Sequence, residues 1–239
     1  SFLWILTSFY SIGYVRGLKE HKQTRYFAYF AVCLSSTIGI AFSANLATFI
    51  IFYEILTIAT YPLVIHKETE EAIKAGRKYL AYTLTAGVFL IAAATWTYLL
   101  VGKLDFIPGG LLKNTPFEPK TAVILFSLFL FGVGVKAAIM PLHSWLPTAM
   151  AAPTPVSALL HAVAVVKSGV FGVIRIGEFV FGPQLLRRYH LDYLLLTTAG
   201  VTIIIASFLA LKEDNLKRRL AYSTVAHLSY IVMGVGLIS

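Results

Sequence analysis

Charged residues are scarce in this sequence. Only 13% of its 239 residues are Asp, Glu, Lys or Arg, whereas 58% are hydrophobic; soluble domains carry about 25% charged residues. A water-soluble globular domain is therefore excluded. Cysteine is nearly absent too, since Cys33 is the only one. A single cysteine excludes a disulfide framework and a thiolate metal cluster. We predict no metal site. No initiating methionine or basic segment precedes the first apolar run, so we predict no signal peptide and expect a fragment of a longer chain.

Long apolar runs separated by short charged connectors dominate what is present. Each run approaches the roughly 20 residues that cross a bilayer as a helix. Alternating ten-residue strands are lacking, so helices rather than a barrel must satisfy the backbone. The sequence predicts an all-α polytopic helix bundle that forms a single transmembrane domain over 1–239. The predicted spans number about eight, at 1–15, 26–44, 46–65, 79–101, 121–146, 155–180, 193–211 and 220–238.

The net charge of +9 comes from basic residues in the connectors. Because these residues lie beside spans and form no aromatic-interleaved patch, nucleic acid is not predicted as a partner. If the spans alternate, twelve basic residues share one side: Arg16, Lys19, Lys22, Arg25, Lys67, Lys74, Arg77, Lys78, Lys212, Lys217, Arg218 and Arg219. Six lie on the other: Lys103, Lys113, Lys120, Arg175, Arg187 and Arg188. The positive-inside rule predicts that the first side is cytoplasmic and that residue 1 lies outside.

Glu54 is an ionisable residue inside the third predicted span. It lies about eight residues from the outer end, or roughly 12 Å deep. Pro62 follows in the same span and removes the backbone donor to the carbonyl of Ile58, which predicts a kink. Intramembrane carboxylates usually mark functional sites, although a hydrogen bond that merely joins helices is the alternative. A cation is expected as the partner of Glu54, and Lys136 is the first candidate.

Lys136 lies in the fifth predicted span, in the run FGVGVKAAIMPLHSWLP. A lysine at the centre of a membrane helix costs roughly 2.5–3.5 kcal/mol. Pro141 removes the hydrogen bond to the carbonyl of Ala137, and Pro147 removes the one to His143, so a broken helix is predicted. Such breaks are tolerated where they face protein or a water-filled cavity. The alternative is a lysine that snorkels to the inner headgroups.

Three further ionisable residues lie within predicted spans. His161 and Lys167 lie on the sixth, about 120° apart around the helix, and His227 lies on the eighth. We expect them to continue an ion path from Lys136. For each histidine, a hydrogen-bonded interior side chain is an equally good interpretation, whereas no lipid-facing position suits Lys167.

Three motifs carry a family resemblance. KAAIMPLHSWLPTAMAAPTPVSALLHAVAVVKSG, DNLKRRLAYSTVAHLSYIVMG and FIIFYEILTIATYPLVIH resemble the antiporter-like subunits of respiratory complex I, membrane-bound hydrogenases and Mrp-type cation/proton antiporters. The resemblance covers most of 45–180 and 212–235. It implies an inverted-repeat fold, with a first repeat over roughly 26–180 and the start of a second over 193–239.

The resemblance also implies a function. Glu54, Lys136, Lys167 and His161 match the family's proton-relay positions, so the chain is expected to move protons, alone or in exchange for Na⁺ or K⁺, beside other membrane subunits. Redox chemistry would occur elsewhere in a quinone oxidoreductase or hydrogenase complex, with no cofactor in this chain. A stand-alone Mrp-type antiporter, an anion transporter and a non-transporting scaffold are the alternatives. A prokaryotic plasma membrane is the expected location, although an organelle would suit a complex I member.

Overall fold

A computed structural model describes residues 2–116 and 118–238, with the side chains of 2–4, 161 and 162 outside the description. Within these ranges the chain is helical, and the single β-bridge joins Asn45 to Asp105. The α-helices are Phe2–Gly17 (α1), Gln23–Ala41 (α2), Leu46–Val64 (α3), Glu70–Val101 (α4), Pro119–Gly134 (α5), Trp145–Ala149 (α6), Thr154–Ala158 (α7), Val165–Arg175 (α8), Pro183–Arg188 (α9), Leu191–Lys212 (α10) and Leu216–Ile238 (α11). Two π-helical segments, Leu159–Val163 and Ile176–Phe181, flank α8.

Local sequence signals set several helix ends. Asn45 caps α3 by accepting a hydrogen bond from the Thr48 amide at 2.8 Å. Thr69 caps α4 in the same way, through the Ala72 amide at 3.2 Å, and Glu70 opens that helix with a carboxylate that suits its positive end. Gly102 ends α4 in the left-handed conformation, with φ of 74°, as glycine does most easily.

The prediction of an all-helical membrane protein holds, but the number of eight spans is not confirmed. Within the described ranges, the helices long and apolar enough to cross a bilayer are α3, α4, α10 and α11. The predicted span 121–146 is not one helix, because α5 ends at Gly134. The predicted span 155–180 is also divided, since a π-helical segment separates α7 from α8 and another follows α8. Polar and proline-rich positions thus interrupt helices that hydropathy alone would draw as continuous.

Contacts between connectors group them at two ends of the bundle. At one end Glu68 pairs with Lys22 at 2.6 Å and Arg25 at 3.0 Å, and Arg218 lies 3.8 Å from Glu71. These contacts bring together three of the connectors that the charge pattern placed on the cytoplasmic side.

At the other end the connector after α4 meets the segment after α8. The Leu111 amide donates to the Phe179 carbonyl at 2.9 Å, and the Asn45–Asp105 bridge joins the same connector to the start of α3. The two ends agree with the predicted alternation of the connectors. Which end faces the cytoplasm stays a prediction.

Small residues let helices approach closely. A Cβ on Gly39 of α2 would lie 2.5 Å from the Phe52 ring of α3, and one on Gly132 of α5 would lie 2.8 Å from Leu90 of α4. Glycine at such contacts is typical of membrane helices, which associate by close packing rather than by exclusion from water. Within the bundle, Lys136 is the one Asp, Glu, Lys or Arg that is buried among the described side chains.

Candidate functional site

The helix break begins before the lysine rather than at the proline. Helix α5 ends at Gly134, two residues before Lys136, and Ala138 adopts a left-handed conformation with φ of 57°. The Met140 amide, released from helical bonding, donates to Thr202 Oγ1 of α10 at 3.1 Å. The break predicted around Pro141 is therefore present, but it starts six residues earlier. A left-handed residue cannot continue an α-helix, so Ala138 rather than the proline is the nearest interruption to Lys136.

The other two prolines lie inside helices, and the kink expected at Pro62 stays a prediction. Pro62 lies inside α3, and the helix continues through it to Val64. Pro147 is the third residue of the short helix α6, where an amide has no partner within the helix, so its missing donor costs little.

Lys136 is fully buried and held by α3. Its Nζ donates to the carbonyl oxygen of Tyr53 at 2.5 Å and lies 3.4 Å from the centroid of the Tyr53 ring. Both the ring face and the carbonyl carry negative electrostatic potential, and an ammonium within about 6 Å of a ring is attracted to it. Since Lys136 is 0% exposed, the snorkelling alternative does not describe this side chain.

Glu54 lies beside this contact but does not pair with Lys136 directly. The described side chains form no ion pair at Glu54, and its Oε1 is buried without a hydrogen-bond partner. Lys136 and Glu54 nevertheless lie close enough for their charges to act on each other.

Gly87 of α4 makes the space for the Glu54 carboxylate. A Cβ at this position would lie 2.6 Å from Glu54 Oε1 and 2.9 Å from its carboxyl carbon. Any other residue would therefore displace the carboxylate. Gly87 could not be singled out from the sequence, because a glycine that makes room for a functional side chain looks the same there as one that only packs.

Helix α8 crosses the break at Gly169. A Cβ there would collide with the backbone at the Lys136–Ala137 peptide, so the glycine permits direct backbone contact between α8 and the broken helix. Trp145 secures the break from another side, since its Nε1 donates to the Val135 carbonyl at 2.7 Å. Tyr53, Gly169 and Trp145 were missed because aromatic and small residues in an apolar run predict only a core.

Lys167 lies elsewhere. It precedes Gly169 by two residues, which turns it about 200° around α8 and away from Lys136. Among the described residues its side chain is exposed. It lines an open groove of about 410 Å³ together with His227, Ser223 and Thr224 of α11. Whether Lys167 continues an ion path from Lys136 stays a prediction.

His227 joins two grooves. Besides the one shared with Lys167, it lines a second groove of about 520 Å³ with Ser207, Arg219 and Tyr230. The structure thus brings His227 to Lys167 rather than to Lys136. The backbone of His161 lies in the π-helical segment Leu159–Val163, a geometry that often marks functional sites; its side chain lies outside the described residues.

Comparisons with known proteins agree with this architecture. A family model described as NADH:quinone oxidoreductase/Mrp antiporter, TM, matches residues 43–239. The chain is 32% identical over 243 residues to a chloroplastic NAD(P)H-quinone oxidoreductase subunit 5 from Dioscorea elephantipes, covering 98% of this chain and 31% of that protein. The protein of the same name from Chaetosphaeridium globosum is 34% identical over 235 residues, covering 95% and 34%. The chain thus spans about a third of the length of these relatives.

Solved structures give the same result. A chain of the membrane-bound sulfane sulfur reductase, an archaeal respiratory membrane complex, superposes with a TM-score of 0.77 and 26% identity over 87% of this chain and 42% of its own length. A chain of the Mrp complex from Dietzia sp. DQ12-45-1b gives a TM-score of 0.79 and 26% identity, covering 90% of this chain and 23% of that one. The fold is therefore shared with chains of two different complexes.

Proposed function

The chain belongs to the NADH:quinone oxidoreductase/Mrp antiporter transmembrane family, and from this premise we propose that it is the ion-translocating part of a membrane subunit in a multisubunit complex. It moves protons, alone or in exchange for Na⁺ or K⁺, while the driving reaction takes place in other subunits. The observation that supports this most directly is Lys136, a fully buried ammonium at a helix break. A charge at such a depth is rarely retained without a functional reason.

The proposed mechanism is a charge switch. Burial disfavours an ammonium, and a nearby carboxylate favours it. When Glu54 is neutralised or moves away, Lys136 loses that support and releases its proton. The Tyr53 carbonyl keeps the lysine side chain in place through the cycle.

The onward route passes by way of His161 to Lys167 and His227 in this proposal. Lys167 and His227 share one groove, so water there would connect them. Lys167 lies on the side of α8 away from Lys136. The contact of Gly169 with the break joins the surroundings of Lys136 to the groove beside Lys167. Water inside the bundle would have to bridge them at this crossing.

The parent complex is proposed to be of the quinone oxidoreductase type, because the curated relatives carry that name. An Mrp-type antiporter is the second candidate, favoured by the Dietzia structure. The chain is a membrane protein in either case. A prokaryotic plasma membrane remains our proposal beside an organelle, since the relatives named above are chloroplastic.

The repeat organisation is also a proposal. Residues 26–180 would form a first repeat that contains the broken helix, and 193–239 would begin a second. The pairing of α10 with α11 after the connector at α9 is compatible with this division.

The test is ion flux in inverted vesicles that hold the full-length protein in its parent complex. Lys136→Ala and Glu54→Ala are compared with wild type at matched assembly levels. Lys103→Ala, which removes an exposed lysine from a connector, is the matched control and is expected to keep full flux. The proposal predicts that flux falls in the first two variants while the complex assembles. Loss of assembly together with flux would favour the scaffold alternative, and unchanged flux would refute the mechanism.

A further inference from the structure

A second cluster of ionisable side chains lies outside the proposed ion path. Glu20 and His21 lie in the connector between α1 and α2, and His66 follows the end of α3 by two residues. Backbone hydrogen bonds hold both connectors, from the Glu20 amide to Val15 at 3.0 Å and from the His66 amide to Leu63 at 3.4 Å. The three side chains therefore meet at the end of the bundle that carries Glu68 and its cationic partners.

His66 is the unusual member of this cluster. Its side chain is 1% exposed, yet neither Nδ1 nor Nε2 has a hydrogen-bond partner. Buried polar groups in proteins are almost always satisfied, and an exception calls for an explanation such as a bound ion.

The neighbours of His66 supply two further ligand atoms. Glu20 Oε2 lies 3.7 Å from His66 Nε2. The His21 ring stacks on the His66 ring, with centroids 4.9 Å apart and planes 12° apart. One ligand atom from each of the three residues lies within 4.8 Å of the other two.

We propose that Glu20, His21 and His66 form a binding site for a divalent transition-metal cation, with Zn²⁺ the ion that fits best. Two imidazole nitrogens and one carboxylate oxygen are a common ligand set for zinc. Calcium and magnesium prefer oxygen ligands throughout, so the two histidines disfavour them.

The geometry requires a small adjustment. Ligand bonds of about 2.0–2.1 Å in a tetrahedron place the ligand atoms roughly 3.3 Å apart. The Glu20–His66 distance is already close to that value. His21 is exposed at 41%, so its side chain can rotate toward the other two without unpacking the bundle.

The charges around the cluster leave room for a cation. Lys22 and Arg25 would repel it, but both are paired with Glu68 at 2.6 Å and 3.0 Å. Glu68 Oε2 also lies 3.7 Å from His21 Nε2, so this carboxylate or a water can complete the fourth position. Bound metal would fasten the α1–α2 connector to the end of α3.

This site was absent from the sequence prediction for a physical reason. The spacing between Glu20 and His21 on one connector and His66 on the other matches no short metal-binding motif. Only the pairing of α2 with α3 brings the two connectors together. The proposal is independent of the ion path, because none of its residues contacts Lys136 or Glu54 among the described side chains.

The test is equilibrium dialysis of the full-length protein in its parent complex against buffered Zn²⁺ after removal of loosely bound metal, with zinc counted by mass spectrometry. Wild type is expected to bind one more Zn²⁺ per chain than His21→Asn or His66→Gln. In these two variants the affinity of this site for Zn²⁺ is expected to fall at least about tenfold. His190→Asn is the matched control, since it removes an exposed histidine from another connector. It is expected to bind as wild type does.

A second measurement separates binding here from binding elsewhere. Zn²⁺ is expected to raise the melting temperature of wild type and of the His190→Asn variant but not of His21→Asn. Because His21 is exposed, its substitution tests the site even if His66→Gln fails to fold. Equal zinc binding by wild type and His21→Asn would overturn the proposal and leave a cluster of ion pairs only, and so would a wild type that binds no zinc.

Discussion

The two lysines of the predicted spans differ in what surrounds them within this chain. Lys136 is fully buried, with a carbonyl and an aromatic ring of Tyr53 as partners. Lys167 is exposed and faces an open groove beside His227. They lie on adjacent elements that touch at Gly169, yet one site is closed and the other open.

This difference suggests a division of roles. A closed site can hold a charge out of water until its environment changes, because few alternatives are available to the side chain. The groove beside Lys167 is lined by polar side chains of His227, Ser223 and Thr224, which can hydrogen-bond to water. We therefore interpret Lys136 as the switched charge and Lys167 with His227 as the hydrated part of the route.

The sharpest test of the comparison replaces each lysine with methionine, which preserves the length of the side chain. For Lys136→Met we expect flux to fall roughly a hundredfold, because an interrupted route leaves a charge to cross an apolar position at about 2.5–3.5 kcal/mol. The complex should still assemble, because Glu54 can take up a proton when the lysine is removed and need not remain a buried, uncompensated charge. Flux in vesicles and thermal unfolding of the complex measure the two effects.

Lys167→Met is the matched variant for that experiment. Its stability should stay within about 0.5 kcal/mol of wild type, as for most exposed positions. Its flux should fall less than that of Lys136→Met, because His227 and the other polar side chains remain in the groove. If Lys136→Met unfolds the complex while Lys167→Met does not, the buried charge is structural and the division of roles is wrong.

The crossing between the two regions is tested by Gly169→Ala. A Cβ there collides with backbone at the Lys136–Ala137 peptide, and backbone cannot move aside as a side chain can. We expect a loss of about 1–3 kcal/mol in the free energy of unfolding, measured by denaturation in detergent. Gly234→Ala is the control, because a Cβ on Gly234 meets nothing within 4 Å. Equal stability of the two variants would mean that α8 does not press on the break.

The position of Glu54 is tested by Gly87→Ala. The added methyl meets the carboxylate, which is the mobile end of a side chain, so the stability cost should be below about 1 kcal/mol. Flux should fall severalfold, because Glu54 moves relative to Lys136, while assembly is retained. Gly200→Ala adds a methyl that meets only Met233 at 3.6 Å and should leave flux unaltered. Normal flux in Gly87→Ala would show that the placement of Glu54 is unimportant.

The sequence predicted the closed site better than the open one. An isolated lysine in an apolar run must find partners, and prolines nearby predict a break, so Lys136 and its broken helix were accessible to sequence reasoning. The partner was not, since the Tyr53 carbonyl is a backbone atom that every residue has. The break also contains a left-handed Ala138, which no local sequence signal requires.

Three-dimensional placement explains the remaining differences. Whether Lys167 faces the bundle or a groove depends on how α8 rotates against its neighbours, and glycines set that rotation through contacts distant in sequence. The π-helical segments around α8 shift the side-chain directions as well, and hydropathy does not reveal them. For the same reason, the sequence predicted continuous spans at 121–146 and 155–180 where the chain is interrupted.

The smallest effect is expected at Tyr53. Tyr53→Phe keeps both the ring face and the backbone carbonyl. It removes one hydrogen bond, from the phenolic hydroxyl to the Val133 carbonyl, which is long at 3.5 Å and therefore weak. Flux and stability should remain near those of wild type. Tyr53→Leu removes the ring over which Lys136 Nζ lies at 3.4 Å, a contact worth about 0.5–2 kcal/mol. The flux of Tyr53→Leu should fall severalfold, and the pH dependence of its flux should differ from that of wild type. Flux in vesicles at a series of pH values measures both effects. If Phe and Leu behave alike, the carbonyl alone holds the lysine, and the closed site depends on backbone rather than on the aromatic side chain.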